Sequence, residues 1–198
     1  VMVNQEMRNG FDLEKGPLLR VKILRLAEAR HLFLLSMHHN ISDGWATGLF
    51  FQEFRQRYEA FTRGRPNPLP DLPIQYADYS VWQRNWLKGD VLHQHLDYWQ
   101  GQLARVPELQ LPTDFQRPPV QLHRGSYLQK VLPDSLIQGI ETLARREGAT
   151  LFMGLLSAFY VLLHFHSRQD DLVIGTPLAG RNRAELEGLI GFFVNNLV

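Results

Sequence analysis

Two adjacent histidines, an acid and a glycine stand together at His38-His39-Asn40-Ile41-Ser42-Asp43-Gly44. A histidine takes or gives a proton near neutral pH, which suits activation of an amine or hydroxyl nucleophile. Adjacent strand residues point to opposite faces, so only one of the pair can face a given cleft. Asp43 can accept amide hydrogen bonds at a helix start or pair with a buried arginine. Gly44 lets the backbone approach a substrate with no Cβ in the way. The same residues also fit a structural reading, in which one His fills the core, Asp43 caps a helix and Gly44 eases the turn. Metal binding fits poorly, because the histidines are adjacent rather than four apart and no cysteine is present. His39, Ser42 and Asp43 do not make a triad, whose members converge from separate elements.

The elements around this stretch follow from its flanks. Leu19, Val21 and Ile23 alternate with Arg20 and Lys22, which predicts a half-exposed strand. His31-Leu32-Phe33-Leu34-Leu35-Ser36-Met37 is almost wholly apolar and predicts a strand buried on both faces, with residues 27–30 as the turn. After Gly44 the period changes: Trp45, Leu49, Phe50, Phe54, Tyr58 and Phe61 recur at helical spacing, with Ser42 or Asp43 as N-cap. The histidine loop therefore joins a strand end to a helix start, where α/β sites tend to lie. Arg63-Gly64-Arg65-Pro66 stops that helix. Two amphipathic helices follow, one carrying Tyr76, Tyr79, Trp82 and Trp86, the other Leu92, Leu96, Trp99 and Leu103. Residues 107–119 hold four prolines and form the best boundary in the chain. Beyond them the pattern predicts a strand at 126–132, helices near 135–147 and 151–166, and a strand at 172–175. The apolar run at 151–165 is too short to span a bilayer and reads as a buried core helix.

Composition narrows the function classes. The chain has 198 residues, 44% of them hydrophobic, which is enough for one core or part of a larger domain. Lys and Arg number 21 against 20 Asp and Glu, a net charge of +1, so neither nucleic acid nor an anionic membrane is expected as partner. With no cysteine, disulfide scaffolds, thiolate zinc and cysteine nucleophiles drop out. Val1-Met2-Val3-Asn4 has neither a basic nor an apolar signal region, so no secretory signal is expected and a cytoplasmic location is. The chain stops at Asn195-Asn196-Leu197-Val198, straight after an apolar run and with no polar tail, which reads as a cut through a longer polypeptide.

Residues 37–46 also carry the HHxxxDG signature, and in this they resemble the condensation domains of nonribosomal peptide synthetases, relatives of chloramphenicol acetyltransferase. Gln75-Tyr76-Ala77-Asp78-Tyr79-Ser80-Val81-Trp82 is similar to their YxD-aromatic-AVW motif, with Ser80 where Ala is usual. Ile190-Gly191-Phe192-Phe193-Val194-Asn195-Asn196 is similar to their IGxFVNT motif, with Asn196 where Thr is usual. Residues 11–20 and 111–118 read as text of the same family. The resemblance implies an α/β (α+β) two-layer sandwich, chloramphenicol acetyltransferase-like, with portions of two lobes meeting at a tunnel. Residues 1–106 would be the C-terminal part of the first lobe with joining helices, residues 107–119 a proline-rich connector, and residues 120–198 the first part of the second lobe.

The resemblance also implies an acyltransferase that forms a peptide bond between a donor acyl thioester and an acceptor aminoacyl thioester. Both would be held on the 4'-phosphopantetheine of peptidyl carrier domains, with an adenylation domain as neighbour in one megasynthase and no cofactor or metal bound directly. The product would be a peptide natural product such as an antibiotic. By position His39 would face the tunnel as general base or positioning acceptor, while His38 would support the loop. Asp43 would be structural, paired to an upstream arginine, to Arg181 or to Arg183. Gly44 would keep the tunnel open and offer its amide to the oxyanion. Trp45 and Asn195 would line the tunnel, and Tyr76 and Asp78 would be structural. An HHxxxDG acyltransferase using acyl-CoA or making esters, and a non-catalytic carrier-docking module, are the rivals. Gly44-Trp45-Ala46 resembles the condensing branch more than epimerization domains, and cyclization domains replace the His pair with acids.

Three other patterns invite other readings. Gly175-Thr176-Pro177-Leu178-Ala179-Gly180-Arg181-Asn182 has phosphate-loop spacing, but Arg181 and Asn182 replace the required Lys and Ser/Thr. His93 with His95, and His164 with His166, are spaced by two, so each pair points to different sides of a helix. The Tyr76–Trp99 aromatic stripe lacks the basic groove of a base-stacking platform.

Overall fold

A computed structural model describes residues 2–120 and 125–198. The chain divides into two compact units, Val1–Leu96 with Gly175–Val198, and Asp97–Ile174. The first holds a helix α1 (Met2–Arg8), strands β1 (Leu19–Ala27) and β2 (Arg30–Met37), and helices α2 (Gly44–Thr62) and α3 (Tyr76–Trp86). It also holds β3 (Thr176–Leu178), the single turn α7 (Ala184–Glu187) and β4 (Asn195–Leu197). Helix α4 (Gly89–Leu103) begins in the first unit and ends in the second, which holds α5 (Asp134–Arg146) and α6 (Leu151–Ser167).

β1 and β2 form an antiparallel hairpin with Leu19 opposite Met37 and Ile23 opposite Phe33. Of the residues expected to be buried on both faces of β2, His31 is exposed and Leu32–Met37 are only half-buried. Among the described residues β2 has one hydrogen-bonded neighbour, so its other edge gains no strand. Glu6 of α1 is buried beside this hairpin, with Arg20 Nε 2.7 Å from its Oε1 and Lys22 Nζ against its Oε2. Arg20 also donates to the carbonyls of Asn9 and Gly10 and lies over the Phe11 ring. Helix α1, which no periodicity announced, is thereby tied to β1 by charge.

Helix α2 begins as expected, with Asp43 as N-cap: its side chain accepts from the Ala46 N–H at 2.7 Å. Phe54 packs against Phe33 of the hairpin, 5.0 Å between ring centroids. Ala46 and Ala60 are the buried residues of the helix, while Tyr58 and Phe61 of its aromatic stripe lie exposed. Gly64, at φ +63°, follows the helix end and takes the left-handed turn that glycine allows.

The core beneath the histidine loop is Leu186, Leu189 and Phe193, with Ile74, Tyr76 and Tyr79 of the α3 region packed against it. Burying each of the three fully is worth about 1.5–3 kcal/mol. The strand expected at 172–175 falls instead at Thr176–Leu178, where β4 supplies its partner: Thr176 opposes Leu197 and Leu178 opposes Asn195.

In the second unit α5 packs on α6 where Gly154 leaves no room for more, since a Cβ there would sit 3.1 Å from Ile140 Cγ2. The α6 N-cap is Thr150, whose hydroxyl accepts from the Met153 N–H. The core-helix expectation for α6 needs correcting. Leu163 is its buried residue, whereas Phe152, Met153, Val161 and Phe165 stay exposed, because α5 covers one face only. The strand expected at 126–132 also does not form. Those residues run irregular and exposed, with no ladder partner among the described residues. Among the described residues no single helix is long and apolar enough to cross a membrane.

Candidate functional site

The two histidines leave β2 into different surroundings. The His38 N–H donates to the Leu18 carbonyl at 2.9 Å, extending the hairpin pairing beyond β2. Its Nδ1 accepts from the Asn40 N–H at 3.1 Å, and its ring stands edge-on to Phe11. His38 is thus engaged with its own loop and the preceding segment. His39 is exposed, and its Nδ1 lies 2.6 Å from the Ser42 carbonyl oxygen. A carbonyl only accepts, so Nδ1 carries the hydrogen, and in the neutral imidazole the lone pair is then on Nε2. The His39 ring meets Phe192 edge to face, 5.2 Å between centroids at 87°.

Asp43 is buried and joins three segments. Oδ1 accepts from the Ala46 N–H and faces Arg181 Nη2 at 3.4 Å, while Oδ2 accepts from the Phe193 N–H at 3.0 Å. Burial alone would push its carboxyl up. The Ala46 and Phe193 amides and the Arg181 charge outweigh that and hold it below the usual carboxylate range. Arg181 Nη1 donates to the carbonyls of Leu186 at 2.5 Å and Leu189 at 2.8 Å, and its guanidinium lies 4.1 Å from the Phe193 ring centroid. Arg183 lies elsewhere, over the Trp82 ring at 5.0 Å.

Gly44 opens α2, so its N–H has no acceptor within the helix, and a Cβ there would meet nothing within 4 Å. Trp45 is half-exposed, and its indole N–H donates to the Glu187 carbonyl at 3.0 Å, tying the first turn of α2 to α7. The Tyr76 hydroxyl donates to the Phe192 carbonyl at 2.7 Å. Asp78 accepts from the Gln75 N–H at 2.8 Å and completes the capping box of α3. Asn195, at the start of β4, lies in the wall of a cavity of about 570 Å³ shared with Tyr76, Trp82, Trp86, Arg183 and Phe192.

The structure therefore gathers His39, Asp43, Gly44, Trp45, Arg181 and Phe192–Phe193 around the N-terminus of α2, while Asn195 lies in the wall of a cavity that His39, Gly44 and Trp45 do not line. His38 and Arg183 face other partners. Sequence reasoning passed over Phe192 and Phe193, although both stand inside the quoted Ile190–Asn196 stretch. The aromatic side chain of Phe192 was the available signal, since its ring meets His39, whereas Phe193 reaches Asp43 through its backbone N–H, which side-chain type does not announce.

The residues with phosphate-loop spacing are otherwise employed. Thr176–Leu178 is paired as a strand, and Gly180, at φ +68°, is pressed against the Phe193 carbonyl, where a Cβ would sit 2.0 Å from the oxygen. Among the described residues no group of three or more His, Cys, Asp or Glu side chains is placed to hold a metal ion. His164 Nδ1 lies beside the Gln169 carbonyl, and His95 stands edge-on to Trp86.

Three comparisons set this geometry among known proteins. A family model described as Condensation domain matches residues 1–198. Chondramide synthase cmdD of Chondromyces crocatus is 47% identical over 196 residues, 99% of this chain and 5% of that protein, so the chain spans a small part of the length of such relatives. A four-domain nonribosomal peptide synthetase, holo-AB3403 bound to AMP and glycine, superposes with a TM-score of 0.85 at 31% identity, over 99% of this chain and 15% of that one. The X-domain from teicoplanin biosynthesis, solved in complex with OxyB, gives 0.88 at 25% identity, over 98% of this chain and 44% of that one.

Proposed function

The chain belongs to the condensation domain family, and on that premise we propose that it forms part of a site joining two carrier-bound acyl groups through a new amide bond. The observation that carries this reading is the 2.6 Å contact between His39 Nδ1 and the Ser42 carbonyl oxygen: it takes the Nδ1 hydrogen, so that in the neutral imidazole Nε2 is the acceptor, on an exposed ring. The acceptor amine attacks the donor thioester carbonyl, the C–N bond forms, and the C–S bond breaks to release the donor arm as a thiol. The amine proton passes to His39 Nε2 and from there to the departing sulfur. An α-amine has a pKa of about 8, so part of it is already neutral, and positioning contributes alongside proton acceptance. General-base help is worth about 10²–10⁴-fold. Gly44 offers an N–H at the start of α2 to the developing oxyanion, and its missing side chain leaves the approach clear. Asp43 and Arg181 hold the loop and take no part in proton transfer.

The partners in this reading are donor and acceptor peptidyl carrier domains, which present substrates on 4'-phosphopantetheine, and an adenylation domain of the same synthetase. The location is cytoplasmic. Residues 1–106 belong to the first lobe, residues 107–119 connect, and residues 120–198 open the second. A docking module is the second reading, favoured by the likeness to an X-domain solved with a partner protein.

The test loads donor and acceptor carriers with aminoacyl-phosphopantetheine, adds the full-length protein that carries this chain, and follows dipeptidyl-carrier by intact-protein mass spectrometry. Product that falls by at least about 10²-fold in His39→Ala, at unchanged folding, supports condensation. Product unaffected by His39→Ala removes the histidine from the chemistry. Transfer from acyl-CoA alone moves the protein to another acyltransferase class, and carrier binding with no transfer supports the docking module.

A further inference from the structure

We infer that Phe192 is a positioning residue for His39, fixing the ring plane from which Nε2 works; this rests on the functional reading above. An imidazole has two torsions to settle. The Nδ1–H bond to the Ser42 carbonyl restrains the ring from one side. By itself that bond leaves the exposed ring free to swing about its own loop, because Ser42 lies only three residues away. The edge-to-face contact with Phe192 supplies the second restraint, from a segment more than 150 residues distant in the chain.

A restraint works only if it is itself held, and the Phe192 backbone is held on both sides. Its carbonyl accepts the Tyr76 hydroxyl at 2.7 Å, and the next N–H, that of Phe193, is bound by Asp43 Oδ2 at 3.0 Å. Gly191, just before it, lies so close to the Tyr76 ring that a Cβ would stand 2.3 Å from Cδ2. Asp43 also caps the helix that follows the His39 loop, so one carboxylate registers both segments. The aromatic edge is thus presented to His39 by a clamped main chain rather than by a free side chain. A T-shaped pair prefers one mutual orientation, which an aliphatic side chain of similar bulk does not impose.

The experiment uses the full-length protein with loaded carriers. Phe192→Leu lowers kcat by about 3- to 10-fold, the range expected when one aromatic pair is lost, with KM for the acceptor carrier unchanged. Phe192→Tyr keeps an aromatic edge and restores kcat. In the His39→Ala background Phe192→Leu has no further effect, because the residue acts through the histidine. Wild-type kcat in Phe192→Leu overturns the inference. So does an equal loss in both backgrounds, or a rise in KM alone, since either would make Phe192 a wall of the substrate site. Absence of product from the wild-type protein would overturn the functional reading itself, and the inference with it.

Discussion

Asp43 and Arg181, 138 residues apart in the chain, face each other at 3.4 Å with both side chains almost completely removed from water. Such a pair is costly to half-remove, because a buried charge loses its compensation. Asp43→Ala also strips the cap from α2 and the acceptor from the Phe193 N–H. We expect it to destabilise the folded protein by about 3–5 kcal/mol, read from denaturant midpoints. Asp43→Asn is milder, since Oδ1 still caps Ala46, but its amide NH2 then faces the Phe193 N–H as donor against donor. Equal midpoints for Asp43→Ala and wild type would show that the pair does not hold the loop.

Glu6 makes the stability of the β1 edge depend on acid. Its hydrogen bonds to Lys22 and Arg20, in that order of effect, lower its pKa from 4.5 to about 2. A depressed carboxylate pKa stabilises the fold above the unfolded value and loses that contribution as pH falls through the folded one. The window is therefore about pH 4.5 down to about pH 2. Asp43, also lowered, adds a loss of the same sign below the ordinary carboxylate range. Denaturant midpoints measured across this window should fall more steeply for wild type than for Glu6→Gln, which starts less stable at neutral pH. Parallel curves would remove Glu6 from the acid response.

Tyr76 carries one hydroxyl bond to the Phe192 carbonyl, and its ring lies 5.1 Å from Phe193. Tyr76→Phe keeps the ring and deletes only the bond. Its expected cost is about 0.5–1.5 kcal/mol in stability, with a larger proportional loss in condensation rate than in carrier binding. A rate loss matched by a change in carrier KM would show that the hydroxyl serves substrate rather than the loop.

How much of this was legible depended on distance along the chain. The β1–β2 hairpin, the α2 start at Gly44 and the α5 and α6 spans follow local periodicity and capping, and residues 19–62 read almost as they fold. The loop position of His39 and the capping by Asp43 were equally local. Three local readings failed where a partner segment decided the outcome: residues 126–132 gain no ladder, β3 shifts to Thr176–Leu178 to meet β4, and α6 is covered on one face only. The choice of Arg181 over Arg183 beside Asp43 was not legible either, because both lie near α7 and only the fold separates their directions. Phe192 was hidden for the same reason, as its contact with His39 closes a long loop.

Two glycines of the site should respond oppositely to the same added methyl. At Gly180, φ is +68° and the new Cβ would overlap the Phe193 carbonyl at 2.0 Å, so both backbone and packing object. Gly180→Ala should destabilise the fold by more than the roughly 1 kcal/mol of an ordinary strained glycine replacement, and should displace the Phe193 N–H from Asp43. At Gly44 the methyl meets nothing within 4 Å and the residue is already helical, so stability should move by no more than about 0.5 kcal/mol. The space it fills is the approach to the α2 N-terminus beside His39. Gly44→Ala should therefore lower condensation by about 10-fold or more while the melting temperature holds, since small misplacements at a reacting centre cost of that order. Thermal melts and dipeptidyl-carrier yields measured on the same two variants separate the cases. Full activity in Gly44→Ala would mean that substrate does not pass over this helix start.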